Sequence, residues 1–209
     1  MSTIFIRRGS VPISGTEVRL DRIALVVLLA IAAWHGGQAA WIEAKAELAQ
    51  RLMLRAWRSS QGGAVVRPWP WADTHPIARL TVPRLGVDEL VLEGANGRTL
   101  AFGPGHLTGT PLPGAPGNAV VSGHRDTHFA FLRRLRAGDA ILVETRDGRR
   151  QSYLVESSQV VDRAQLAVAA DTADTRLTLV TCYPFDALHP GGPLRYVVVA
   201  RSRDRAGLQ

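Results

Sequence analysis

The chain has 209 residues, a formal net charge of +7 and a single cysteine. That length suits one domain plus an appendage, and one thiol excludes an intramolecular disulfide. The basic balance would suit nucleic acid, but the arginines are scattered and no helix-turn-helix, zinc-ligand pattern or aromatic stacking motif accompanies them. Nucleic-acid binding is therefore set aside, and a basic exterior facing anionic lipid or an acidic envelope accounts for the charge. No internal repeat, His/Cys cluster or convincing acidic calcium site is present, so neither metal nor cofactor is expected.

Residues 1–22 are polar and carry Arg7, Arg8, Arg19 and Arg22. Residues 23–33 are unbroken apolar sequence, and a softer stretch with Trp34 and Trp41 continues to Ile42. Together these make about 20 residues, or roughly 30 Å of helix, the thickness of a hydrocarbon core. The two tryptophans suit a membrane interface. The reading adopted is an uncleaved anchor over residues 23–42, the alternative being a signal peptide cut after Ala39. Residues 43–58 continue as a helical stalk, with Ala44, Leu48, Leu52 and Arg55 on one face. Ser59-Ser60-Gln61-Gly62-Gly63 ends it and marks the main domain boundary. The linker that follows holds Trp69 and Trp71 between prolines; both are expected to fasten it to its own domain rather than to bind a partner.

From Pro76 the pattern is that of a β-protein. Strands are predicted over residues 77–82, 88–92, 118–123, 139–145, 149–158, 176–181 and 194–202, with a short helix over 127–135. Leu85-Gly86 joins the first two strands. Asp147-Gly148 is a dipeptide favoured in primed hairpin turns. Many short strands with turns between them indicate a closed barrel, which leaves no exposed edge.

The chemistry gathers at strand ends. Cys182 follows the β-branched run ending at Thr181, and Pro184 stops the strand there. A thiol at such a place suits a nucleophile, although a lone cysteine is more often a small buried hydrophobe. His124 ends another predicted strand and Arg195 lies near the start of the last. His75 and His106, among prolines and glycines, are expected to be exposed fillers. His128, four residues beyond His124, is the competing base, and His189 is near Cys182 in sequence. Arg125 and Asp126 orient the histidine or its loop, or else form a surface ion pair of little worth. Thr181 helps shape the site or is an ordinary strand residue.

Histidine, cysteine and arginine in that order resemble the sortases, the cysteine transpeptidases of bacterial surfaces. The motifs that carry the resemblance are SGHRD at 122–126, TLVTCYP at 178–184, the arginine of LRYVVVA and the Gly/Pro-rich approach at 103–118. It covers roughly residues 76–201. Papain-like enzymes place cysteine before histidine, the reverse of this chain. SGHRDTHF and TLVTCYPFD look closest to the Gram-negative (class GN) sortases. Tyr183 and the short proline-rich loop 185–193 depart from the better-known Gram-positive pattern, which bears on substrate recognition.

The resemblance implies an eight-stranded sortase-type barrel, mainly β, with its active site in a groove on the wall. It implies His124, Cys182 and Arg195 as catalytic residues, with Asp126, Thr181, Tyr183 and His189 supporting or binding substrate. Cys182 would attack an amide within a C-terminal LPXTG-like sorting signal of an envelope or surface protein, and an amine acceptor would resolve the thioacyl enzyme. Such an enzyme sits in the bacterial inner membrane by a single pass, with its catalytic domain on the periplasmic side. The organisation expected is then a cytoplasmic segment 1–22, an anchor 23–42, a stalk and Pro/Trp linker 43–75, a catalytic barrel 76–202 and a tail 203–209. The alternatives are hydrolysis of the same signal, or a membrane-tethered peptide-binding module without turnover.

Overall fold

The computed structural model describes residues 15–166, 170, 172–187, 189 and 191–203, with side chains from residue 22 onward. The expected leader through residue 14 and the tail from 204 lie outside the described residues. The chain forms two compact units, Met1–Glu47 and Leu48–Gln209.

The first unit carries most of helix α1, Gly15–Ser59. No proline interrupts it, and Gly36 and Gly37 are tolerated within the helix. Its described apolar side chains from residue 23 to 42 are exposed, among them Ile23, Leu25, Val26, Leu28, Leu29 and Trp34. Over Arg22–Ser59 the helix is long and apolar enough to cross a membrane.

In the second unit the last turns of α1 are buried along one face. Met53, Ala56 and Trp57 are buried, whereas Leu48 is 56% exposed. Gln50 Nε2 donates to the Phe102 carbonyl at 3.0 Å, which ties this part of the helix to the β-domain. Trp69 meets Phe102 edge-on, with ring centroids 5.3 Å apart. Trp71 is 81% exposed, so only one of the two linker tryptophans fastens the segment.

Eight strands follow: β1 Pro76–Val82, β2 Val87–Glu93, β3 Gly105–His106, β4 Asn118–Ser122, β5 Ala140–Thr145, β6 Arg150–Asp162, β7 Arg176–Cys182 and β8 Leu194–Ser202. They close into a barrel in the order β1-β2-β3-β4-β7-β8-β6-β5. The β2/β3 and β4/β7 pairs are parallel and the others antiparallel. Alternation along each strand divides its side chains between interior and exterior. Ala119, Val121, Leu177, Leu179, Val198 and Ala200 join the main interior core. Val120, Val180 and Val197, one position out of step, form a second apolar cluster on the outer face, with Val161, Leu166 and Val199 packed against it.

Four details differ from the sequence reading. Strand β3 is only two residues long, too short for an alternating pattern to reveal. β6 runs to Asp162 because its far half pairs with β8, a partner that local propensity cannot identify. The expected helix over 127–135 is reduced to a 3-10 turn, Ala130–Arg134. The Asp147-Gly148 hairpin exists, but only Gly148 is left-handed, at φ +78°. Gly148 N bonds Thr145 O at 2.9 Å and Thr145 N bonds Arg149 O at 2.9 Å. This is a right-handed turn closed by a glycine bulge rather than a two-residue primed turn.

Candidate active site

The site is assembled by strand register. β7 lies between β4 and β8. On one side Cys182 is directly opposite Arg195, and in an antiparallel pair such partners share a face. On the other side β4 runs parallel to β7, with Ser122 beside Val180. Gly123 N donates to Val180 O at 3.1 Å, so the ladder continues one step past the end of β4. His124 is the next residue. Strands pair at about 4.8 Å, so the three residues stand side by side at one rim of the barrel wall although 58 residues separate His124 from Cys182. Cys182 shares the parity of Val180, which places it on the outer face at the end of the apolar strip formed by Val120, Val180 and Val197.

Each member is held by its own contacts. Cys182 is a free, half-buried thiol. Its neighbour Thr181 is buried and donates from Oγ1 to the Gly123 carbonyl at 2.7 Å, so it links the cysteine strand to the peptide preceding His124. His124 is exposed at the rim, and its carbonyl accepts from Phe129 N at 2.9 Å, closing the turn that carries it. Phe129 lies wholly in the core beneath. Gly123 is required by space rather than by backbone angle, since a Cβ there would lie 2.7 Å from Phe129 Cγ. Arg195 donates from Nη1 to the carbonyls of Gly192 at 2.7 Å and Leu194 at 2.8 Å. Among the described residues its Nε and Nη2 take no acceptor, which leaves one edge of the guanidinium free for a ligand.

The remaining candidates separate clearly. His128 Nδ1 lies 2.9 Å from Glu89 Oε2 on β2, so this histidine is engaged with a carboxylate. Asp126 is exposed and forms no ion pair among the described residues. Tyr183 stacks on Tyr196 at 6.2 Å, and Phe185 meets both rings edge-on, giving an aromatic trio beside the cysteine. The His189 side chain is exposed.

His106 is not an exposed filler. It is buried in β3, with Nε2 3.0 Å from the Pro111 carbonyl and 3.1 Å from Thr110 Oγ1. There it anchors the Gly/Pro-rich loop between β3 and β4. His75 is half-buried, and burial followed by the nearby Arg146 lowers its pKa.

Arg125 is not a surface ion pair either. It is 9% exposed, and its Nη2 donates to the carbonyls of Ala187 at 2.8 Å and His189 at 2.9 Å. Its position next to His124 was the only sequence signal for this role. A cavity of about 290 Å³ on the β1–β5–β6 wall, lined by Arg79, Thr81, Leu142, Glu144 and Arg150, contains none of the three rim residues.

Fold and site together define a closed eight-stranded β-barrel with a free thiol, a histidine and an arginine at the ends of adjacent strands. The sortase domain family matches residues 80–203, and the chain belongs to the sortase family. It is 28% identical over 123 residues to sortase D of Bacillus subtilis, covering 58% of this chain and 61% of that protein. It is 28% identical over 110 residues to sortase A of Listeria monocytogenes, covering 51% of this chain and 49% of that protein. The match therefore spans about three-fifths and about half of these relatives' own lengths. Among solved structures, a sortase D5 transpeptidase of Clostridium perfringens superposes with a TM-score of 0.54 at 26% identity, covering 61% of this chain and 79% of that one. Sortase C-1 of Actinomyces oris superposes with a TM-score of 0.55 at 30% identity, covering 62% and 76%.

Proposed function

We propose that the protein is a membrane-anchored cysteine transpeptidase acting on a C-terminal LPXTG-like sorting signal. The observation that carries this reading is the register opposing Cys182 to Arg195 on β8 while β4 ends beside it with His124. The thiolate of Cys182 adds to the carbonyl carbon of the scissile amide, forming a C–S bond and an oxyanion. The free edge of the Arg195 guanidinium donates to that oxyanion or to the substrate backbone. Collapse of the intermediate breaks the C–N bond, and His124, which took the thiol proton, gives it to the departing amine. An incoming amine then attacks the thioester, His124 accepts its proton, and the thiolate leaves with a new amide formed.

Val120, Val180 and Val197 lie on the same outer face as Cys182 and are buried beneath Val161, Leu166 and Val199, so the cluster supports the strand end that carries the thiol. Exposed apolar residues along α1 support an anchor, with the barrel in the periplasm and the substrate an envelope or surface protein. The stretches SGHRDTHF and TLVTCYPFD support membership in the Gram-negative class. Asp126, Tyr183 and His189 border the same rim and are assigned to substrate contact.

The test is cleavage of an internally quenched LPXTG peptide by the full chain in detergent, with and without hydroxylamine. Transpeptidation yields the hydroxamate and a mass increment on Cys182 that Cys182→Ala abolishes; His124→Ala nearly silences turnover. Hydrolysis with no hydroxamate would make the protein an endopeptidase. Full activity in His124→Ala would remove it as the base.

A further inference from the structure

The Arg125 guanidinium is a charge buried without a carboxylate partner among the described residues. Such a group is costly to bury unless its donors are satisfied, and here two backbone carbonyls satisfy them. Those carbonyls belong to Ala187 and His189, in the loop that joins β7 to β8. The same loop supplies Gly192 O, which with Leu194 O receives Nη1 of Arg195. Leu194 O also accepts from Tyr183 N at 3.1 Å, next to Cys182. Arg125 itself follows His124 directly, in a turn closed by Phe129 N on His124 O and tied to β7 by Thr181 on Gly123 O. Hydrogen bonds therefore tie the His124 turn through Arg125 to Ala187 and His189 of the loop, and tie Gly192 at the far end of the same loop to the guanidinium of Arg195.

We propose that Arg125 is a positioning residue that holds the β7–β8 loop, and with it the Arg195 guanidinium, in fixed placement against the His124 turn. This deepens the transpeptidase reading and rests on it. The physical reason lies in what a loop needs. The loop includes prolines and glycines, and its described residues between 183 and 193 form no strand ladder, so their backbone carbonyls have few internal donors. A guanidinium offers several N–H groups in one plane and can hold two carbonyls from a single anchor point. Without it the loop keeps its covalent ends but loses its cross-link to the His124 turn. Arg195 then samples orientations in which its free edge no longer faces the carbonyl being attacked. Because the effect falls on orientation in the transition state, it appears in kcat rather than in KM.

The experiment uses the full chain in detergent with four variants, Arg125→Ala, Arg125→Lys, Arg195→Lys and Arg125→Ala combined with Arg195→Lys. Arg125→Ala should lower kcat for the quenched LPXTG peptide by about 10- to 100-fold with KM changed less than about threefold. Arg125→Lys should recover part of that loss, since an ammonium can reach one carbonyl but not hold both. In the Arg195→Lys background, Arg125→Ala should cost several-fold less than it does alone, because the group it positions is already altered. Amide hydrogen exchange should rise across 183–193 and remain unchanged in β1, β2 and β5, which separates loop release from general unfolding. Exchange in the loop equal to that of the wild type overturns the proposal whether or not the wild type cleaves the peptide. So does faster exchange with wild-type kcat, or full additivity with Arg195→Lys. A wild type that leaves the peptide intact counts instead against the substrate assignment, and loop exchange still decides the tether.

Discussion

Gly123→Ala tests how tightly the core and the site are joined. The backbone angle at Gly123 is one any residue adopts, so the methyl group is opposed only by its surroundings. An ideal Cβ would lie 2.7 Å from Cγ, 2.9 Å from Cδ2 and 3.0 Å from Cδ1 of Phe129. Ordinary carbon contacts need roughly 3.5 Å or more, so something must move by about 0.5–1 Å. Phe129 is fully buried and meets Phe131 edge-on at 5.7 Å, so the ring has little room to retreat. Overpacking of this kind costs about 1–3 kcal/mol, a fall in Tm of roughly 3–10 °C for a domain of this size. If the strand end yields instead of the ring, His124 is displaced, and a shift near 1 Å lowers turnover by up to about 100-fold. Thermal unfolding and peptide cleavage on the same preparations measure both effects. A single variant that melts within about 1 °C of wild type and turns over within about twofold would refute the argument that Phe129 packing positions His124.

Arg195→Lys should lower kcat by about 100- to 1,000-fold, because one ammonium cannot both hold Gly192 O and Leu194 O and present a planar edge to the oxyanion. Alkylation of Cys182 by iodoacetamide should persist in that variant, since it needs no oxyanion donor; loss of both would indicate misfolding instead. Asp139→Asn should lower Tm at pH 7, because Asp139 accepts twice from Arg84, at 2.5 and 2.6 Å, and once from Arg136 N, at 2.7 Å. The hydrogen bond from Arg84 is the main cause that lowers the Asp139 pKa in the folded state. A depressed carboxylate stabilises the fold above its unfolded value of about 3.9 and loses that contribution as pH falls through the folded value. The Tm difference between wild type and Asp139→Asn should therefore be constant from about pH 5 to 7 and close below about pH 4; a gap that widens in acid would contradict the sign.

The residues themselves determined seven of the eight strands, the apolar N-terminal helix and the identity of the thiol. β-branched runs bounded by Gly and Pro reveal strands because side-chain shape and backbone freedom act locally. Cys182 needed no structure to be singled out, since no other side chain in the chain offers sulfur nucleophilicity of that kind. The order His124, Cys182, Arg195 was equally legible, as was the barrel implied by so many short strands. Their adjacency was not. It depends on β4 lying parallel to β7, a pairing between segments 58 residues apart that no local pattern encodes. Burial likewise overrode context at His106: a histidine among glycines and prolines looks exposed, yet a two-residue strand carries it into the wall, where Pro111 O and Thr110 Oγ1 receive it. Arg125 shows the same limit most sharply. A charged residue next to a histidine in a loop motif is open to two readings, an orienting contact or a surface ion pair, and only the folded β7–β8 loop, by presenting two carbonyls to one guanidinium, decides between them. Long-range hydrogen bonds select their partners by where the backbone arrives, and that is decided by the closed barrel rather than by any stretch of sequence.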